Sequence, residues 1–172
     1  MLTAGGVLVQ ATLFGRADAN VIDWLRPTTA DRWQTYNVRD VSTRGIEIGA
    51  RRTLPSGAFL KAQYTAIDVE AAAVTQLSKY LLDYSPHSLT AAASIPLPAE
   101  FRVAPRIEYR RRSRSSGTSD YVLLDARVGR RIGRMLDLFV DGTNLLDANY
   151  QEIAGVEMPG AAVSVSLAVR AR

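Results

Sequence analysis

Apolar and polar residues alternate along most of this chain with a period of two. From Ala161 the order is A-A-V-S-V-S-L-A-V-R, so Val163, Val165, Leu167 and Val169 point one way and Ser164, Ser166, Ala168 and Arg170 the other. Side chains alternate this way on a strand and not on a helix. The same reading gives strands at Val9–Phe14, Ile46–Arg51, Leu60–Ala66, Ser88–Ile95, Phe101–Arg110, Tyr121–Arg131 and Leu136–Asp141, eight candidates in all. The fold class predicted is all-β, an antiparallel meander of about eight strands. With 172 residues, one domain over 1–172 is expected, with no linker or internal boundary.

The connections alternate in length. Residues 54–57 (LPSG), 96–100 (PLPAE) and 132–135 (IGRM) read as tight turns. Residues 26–32, 69–86, 111–120 (RRSRSSGTSD) and 139–160 read as longer, polar loops. This predicts one plain rim and one elaborated rim. Within 69–86, Leu77, Leu81 and Tyr84 have helical spacing, so either a helical turn or a late strand start fits there.

An alternating meander has two solutions. A soluble barrel or sandwich turns its apolar face inward; a membrane barrel turns it to lipid and lines its interior with the polar face. Here the polar face is arginine with a few carboxylates and many small residues, such as Gly49, Ser88, Ser94 and Gly129. Of 21 cationic side chains only Lys61 and Lys79 are lysines. Flexible, well-hydrated Lys is the usual choice for a solvent face; arginine suits fixed pairing. On the strand 101–110, Phe101 and Tyr109 mark the two ends of the apolar face, the placement of an aromatic girdle. Trp24, Trp33, Tyr36, Tyr80, Tyr84, Tyr121 and Tyr150 gather toward the long-loop side.

Several chemistries find no support. There is no cysteine and one histidine, His87, so no disulfide framework, cysteine-based metal site or multi-histidine centre is predicted. No catalytic residues, metal or cofactor are assigned; Asp83, Ser85 and His87 are close in sequence, but an extended segment points alternate side chains apart. The net charge of +4 is spread singly along strands, which argues against nucleic-acid binding. No apolar run reaches the roughly 18 residues of a membrane helix. The N-terminus, MLTAGGVLVQATLFGRADA, makes a poor signal peptide because Gln10, Thr12 and Arg16 interrupt it.

Four segments carry a resemblance. The stretch 137–169 (DLFVDGTNLLDANYQEIAGVEMPGAAVSVSLAV) resembles the C-terminal end of TonB-dependent outer-membrane receptors, at Asn144, Leu145, Leu146, Asp147, Tyr150, Pro159 and Gly160. NVRDVSTRGIEIGA is similar to the family's Arg-Gly-x-Glu segment at Asn37, Arg44, Gly45 and Glu47, and YSPHSLTAAASI to its Pro-x-His strand opening at Pro86 and His87. ATLFGRADANVIDW is similar to the strand before these. The four occur in family order and cover essentially the whole chain.

The resemblance implies the C-terminal portion of a transmembrane barrel of about 22 strands, set in the outer membrane of a Gram-negative cell, with the plug domain, TonB box and remaining strands outside this sequence. The implied function is energy-coupled uptake of a scarce ligand such as a siderophore or a vitamin B12-like cofactor, without catalysis. The implied partners are outer-membrane lipid and lipopolysaccharide, the plug and remaining strands, and TonB indirectly. The chain departs from the family in ending Val169–Arg170–Ala171–Arg172 rather than on an aromatic residue. Two alternatives stand beside this reading: a self-contained eight-stranded membrane barrel, and a soluble β-barrel or sandwich binding module.

Site expectations follow. Glu47, Arg51, Lys61, Arg102, Arg106, Glu108, Asp125 and Arg127 are expected on the interior, either as a charge ladder for a plug or an anionic ligand or as mutual ion pairs. Arg110, Arg111, Arg112 and Arg114 are expected at the outer rim, either meeting lipopolysaccharide phosphates or solvated. Asn144 and Asp147 are expected to bond local backbone and stop a strand, Pro159 and Gly160 to start the next, and Tyr150 to anchor at the outer interface.

Overall fold

The computed structural model describes residues 2–4, 6–71, 74–114 and 117–170. The strands are β1 (Leu2–Ala4), β2 (Val7–Arg26), β3 (Gln34–Thr53), β4 (Phe59–Ala71), β5 (Leu77–Ser78), β6 (Tyr84–Leu97), β7 (Phe101–Arg114), β8 (Gly117–Ile132), β9 (Leu136–Thr143) and β10 (Ala162–Val169). They form one antiparallel sheet in the order β1-β2-β3-β4-β6-β7-β8-β9-β10, with the two-residue β5 paired to β2. The eight long strands are those marked by the alternation. Residues 171–172 of the C-terminal tail lie outside the described residues.

The strands are longer than the alternation suggested. β2 and β3 have 20 residues each, roughly 65 Å of extended chain. Their outer halves are rich in Asp, Asn, Thr and Arg on both faces, so they lack an alternation signal although the backbone stays paired as far as Leu25 and Gln34. Residues 111–120 are also not a loop. Arg111 pairs with Asp120, Arg112 with Ser119, Ser113 with Thr118 and Arg114 with Gly117, so the polar stretch forms the arms of a hairpin. Residues 77–83 hold β5 and a turn rather than a helical turn, and β6 starts at Tyr84. Proline lacks the N–H a ladder uses, and Pro86 sits where the β6–β7 register shifts, between Tyr84 and His87.

Register fixes the two faces, because residues opposite one another share a side. The apolar face carries Val9, Leu13, Ile46, Ile48, Leu60, Leu89, Val103, Ile107, Leu124, Val128, Val140, Val165 and Leu167. Much of it is bare: Leu13 is 79% and Val165 68% exposed. Charged residues bound it at each end. On β8 these are Asp120 and Arg130, ten steps apart, or roughly 25 Å of height for a strand tilted about 40°. Arg130 lies over the Phe101 ring at 4.8 Å; at the other edge stand Tyr109 and the hydrogen-bonded pair Tyr64–His87, 2.8 Å apart.

The one buried apolar cluster among the described residues lies elsewhere, at the long-loop end. Leu25, Val38 and Val41 pack there with Val21, Val69, Ala71, Val74 and Leu81. Asp23, only 1% exposed, ties this end together. Its carboxylate accepts from the Ser78 hydroxyl (2.5 Å), the Leu81 N–H (3.1 Å) and the Trp24 N–H (2.7 Å). Thus the connection after β4 folds back onto β2.

Gly45 on β3 shows how tightly neighbouring strands meet. A Cβ there would run into the Phe14 ring on β2 and come within 2.6 Å of the Ala66 carbonyl oxygen on β4. The aromatic ring lies over the glycine and fills the space a side chain would take.

Candidate functional site

The polar face bears the charged residues the sequence singled out, and the register sets them in rungs. Arg51 lies opposite Lys61, which lies opposite Ala92, then Arg106, then Asp125. Glu47 shares a rung with Thr12 and Thr65, Glu108 with Thr90 and Leu123, Arg102 with Gly129, and Arg127 with Asp141.

Toward the C-terminal half these charges pair with one another. Glu108, 6% exposed, binds both Arg106 and Arg110. Arg127 reaches Asp141 at 2.5 Å and stacks over Phe139 at 5.2 Å. Asp137 holds Arg170 at 2.7 Å and Arg131 at 3.6 Å. Arg102 donates to the Ser94 hydroxyl at 2.9 Å. Asp125 spends one oxygen on the Asn144 backbone N–H at 2.9 Å. Among the described residues Glu47, Arg51 and Lys61 have no ion-pair partner.

The β9–β10 connection covers the upper part of this face. Asn144 has a positive φ of 46° and is 4% exposed. Its side-chain amide donates to the Ala148 and Pro159 carbonyls (3.0 and 3.2 Å), and its side-chain oxygen accepts from Ala148 N–H (2.9 Å). Asp147 accepts the Ala161 N–H at 2.9 Å, and Gly160 lies so close that a Cβ would stand 2.6 Å from the Asp147 carboxylate. A short polar side chain that bonds backbone on both sides of a bend stops one strand and positions the next. Leu145 packs over Gly142 and hydrogen-bonds the Leu124 carbonyl through its N–H at 2.8 Å.

Tyr150 packs on the polar face. Its ring tilts against Tyr121 at a centroid distance of 4.8 Å, and Tyr121 shares the polar face with Arg110. The connection is long enough to fold over the strand ends, and a polar-face aromatic offers a better surface than water. Burial holds the Tyr150 phenol above its ordinary value, with Glu152 adding to the effect.

The arginine run at the loop end of β7 divides between the two faces. Arg110, Arg112 and Arg114 alternate onto the polar face, and only Arg111 stands on the apolar side, 3.9 Å from Asp120. Arg112 binds Asp83 and donates to the Glu152 carbonyl at 3.0 Å; Arg114 donates to the Gln151 carbonyl at 2.6 Å and lies 3.5 Å from Asp83. Arg110 lies 3.6 Å from Glu152, whose carboxylate also accepts the Tyr121 hydroxyl at 2.9 Å. Three arginines of one strand thus clamp two loops. Asp83, Gln151 and Glu152, the loop ends of this clamp, carried no sequence signal, since single carboxylates and amides in polar loops look like solvated surface.

The remaining motif residues are structural neighbours of the belt edge. Arg44 stands on the apolar side beyond the belt, 2.8 Å from both Asp68 and Glu70. His87 is stacked on Tyr64 with 6.2 Å between ring centroids. At the loop rim Lys79 lies 5.2 to 6.0 Å from the rings of Tyr80, Trp24 and Trp33, and Arg26 lies 4.3 Å over Trp33.

This is the architecture of part of a β-barrel wall. No family model matches the chain, and no curated protein does. Solved structures do. The copper transporter OprC superimposes with a TM-score of 0.72 at 14% identity, over 96% of this chain and 29% of that one. The pyoverdine outer membrane receptor FpvA from Pseudomonas aeruginosa PAO1 gives 0.72 at 15%, over 96% and 27%. The siderophore receptor PiuA from Acinetobacter baumannii gives 0.69 at 20%, over 95% and 26%. These are TonB-dependent outer-membrane receptors, and the fold of this chain is that of the C-terminal portion of their barrel. The chain spans less than a third of their length. The self-contained eight-stranded barrel is not the form adopted: among the described residues β10 pairs with β9 alone and β1 with β2 alone, so the sheet is open.

Proposed function

We propose that residues 1–172 form one barrel segment of an outer-membrane receptor that takes up a scarce ligand, such as a siderophore or another metal-carrying or cofactor-like molecule, by an energy-coupled route. The observation that carries this reading is the bare apolar belt, roughly 25 Å high between charged edges, backed by a polar face. An open sheet with such a face aggregates in water. In a closed barrel, with the remaining strands supplied by the rest of the protein, every backbone group is paired, as a bilayer requires. The polar face then lines the interior against a plug domain, and the outward edge of Tyr64, His87, Tyr109 and Arg111 meets lipid and lipopolysaccharide headgroups. TonB acts through the plug. The segment's role is wall and rim, with no chemical step.

The soluble alternative predicts the opposite burial, with the apolar face covered. The test is to express the intact protein in a Gram-negative host, fractionate its membranes, and compare the migration of unheated and heated samples in detergent gels. An outer-membrane band that shifts on heating is expected. A monomer soluble without detergent would overturn the proposal. Growth under iron or copper limitation, with and without the gene, then reads out the ligand class.

A further inference from the structure

Above the Val41–Ala71 rung β3 has no further partner in β4, yet β2 and β3 go on pairing up to Leu25 and Gln34. Among the described residues, the hydrogen bonds that join this upper hairpin to the rest of the rim go to residues 77–81. Ser78 pairs with Leu25, the Lys79 N–H donates to the Trp24 carbonyl at 3.0 Å, and the Ser78 hydroxyl and Leu81 N–H donate to Asp23. A tight turn, 78–83, follows at once. Its far end carries Asp83, the acid that Arg112 and Arg114 of β7 share. Those arginines donate in turn to the Glu152 and Gln151 carbonyls of the β9–β10 connection.

One hydroxyl ties the two ends of the turn together. Ser78 gives its proton to Asp23 at 2.5 Å and accepts the Leu82 N–H at 3.0 Å, while the Asp83 N–H donates to the Tyr80 carbonyl at 3.1 Å. The Asp23 carboxylate thus aims the hydroxyl that closes the turn, and the closed turn sets where Asp83 stands. Asp23 is 1% exposed, and its donors are all neutral: Ser78, Leu81 and the Trp24 N–H. Losing one donor leaves a buried charge short of partners, so such donors tend to hold or let go together.

We propose that the turn 78–83 couples the tip of the β2–β3 hairpin to the β7–β8 hairpin and the β9–β10 connection, so that these three parts of the rim loosen and tighten as one unit. The coupling runs from Asp23 through Ser78, Leu82 and Asp83 to Arg112 and Arg114, a contiguous chain of hydrogen bonds and ion pairs. A pull on one arm of the rim is then felt at the other two.

Amide hydrogen exchange in the intact, folded protein reads such openings segment by segment. Asp23→Asn keeps the shape of the side chain and removes its charge. Exchange is expected to rise by about tenfold, within the usual range for coupled sites, at 21–25 and 34–38 and also at 110–114 and 150–158, which Asp23 does not touch. Belt segments 103–107 and 122–126 should keep the wild-type rate. Asp83→Asn is the reciprocal arm and should loosen 21–25 by a similar factor, because coupling between two sites is mutual. Ser78→Ala removes only the linking hydroxyl, adds no charge, and should give the same pattern where Asp23→Asn lowers the yield of folded protein. Faster exchange confined in each variant to the arm its own residue touches would overturn the proposal. A rise that includes the belt segments would be a general loosening and would overturn it too. The comparison needs only folded protein, so its failure leaves the outer-membrane reading standing, and failure of that reading leaves the comparison valid.

Discussion

Arg112 on β7 binds the carboxylate of Asp83, 29 residues earlier, and both side chains are nearly shielded, at 12% and 14% exposure. The pair joins the β7–β8 hairpin to the connection between β4 and β6. Arg114 approaches the same carboxylate, so one acid serves two cations.

Removing that acid leaves two guanidinium groups facing each other with little water. Asp83→Ala is expected to destabilise the rim by about 2 kcal/mol or more, toward the lower end of the range for a buried pair because some solvent remains. Arg112→Ala in the same background should add less than it costs alone. Thermal loss of the unheated gel band in the three variants measures this.

Asn144 makes three hydrogen bonds that hold both ends of the β9–β10 connection. Asn144→Ala leaves Ala148 and Pro159 groups unpaired in a nearly buried site, a cost of about 1–3 kcal/mol. The visible result should be faster cutting after Glu152 and Glu157 by a glutamate-specific protease, with the rest of the sheet intact. An unchanged cleavage rate would mean the connection is held by the arginine clamp alone.

Gly45→Ala puts a methyl into the Phe14 ring and within 2.6 Å of the Ala66 carbonyl. Phe14→Ala removes the ring but not the backbone oxygen. Partial recovery in the double variant is therefore expected, by the same heat-shift assay; full recovery would mean the strands can separate locally at no cost.

The two faces of β10 should respond differently to the same charge. Val165→Arg places a cation at mid-belt, opposite Val140, at about 2–4 kcal/mol for a site near the bilayer midplane. Ser164→Arg faces Asp141 on the polar side and should be close to neutral. The yield of folded protein in outer membranes separates the two. Equal loss would count against the assignment of faces.

The sheet was legible because its middle obeys one rule: residues such as Val163, Val165 and Leu167 cannot alternate with serines by chance over eight segments. The ends of the strands were not, because past the belt β2 and β3 carry polar residues on both faces, and the apolar–polar alternation fades. The same fading hid the hairpin arms at 111–120. Asn144 and Asp147 were readable as strand stoppers from their chemistry, since that role is local. Tyr150 was not, because its neighbour Tyr121 is 29 positions away in sequence and only the folded register brings the two rings together. The pairing of Arg112 with Asp83 was hidden for the same reason.

Among the described residues, apart from the two of β5, every strand is bonded only to the strands that precede and follow it along the chain. Such a wall has no keystone. When a hairpin is gained or lost along it, only the two flanking strands change partners, and the other rungs keep theirs. Circumference can thus change by whole hairpins while the registers that hold the wall stay as they are.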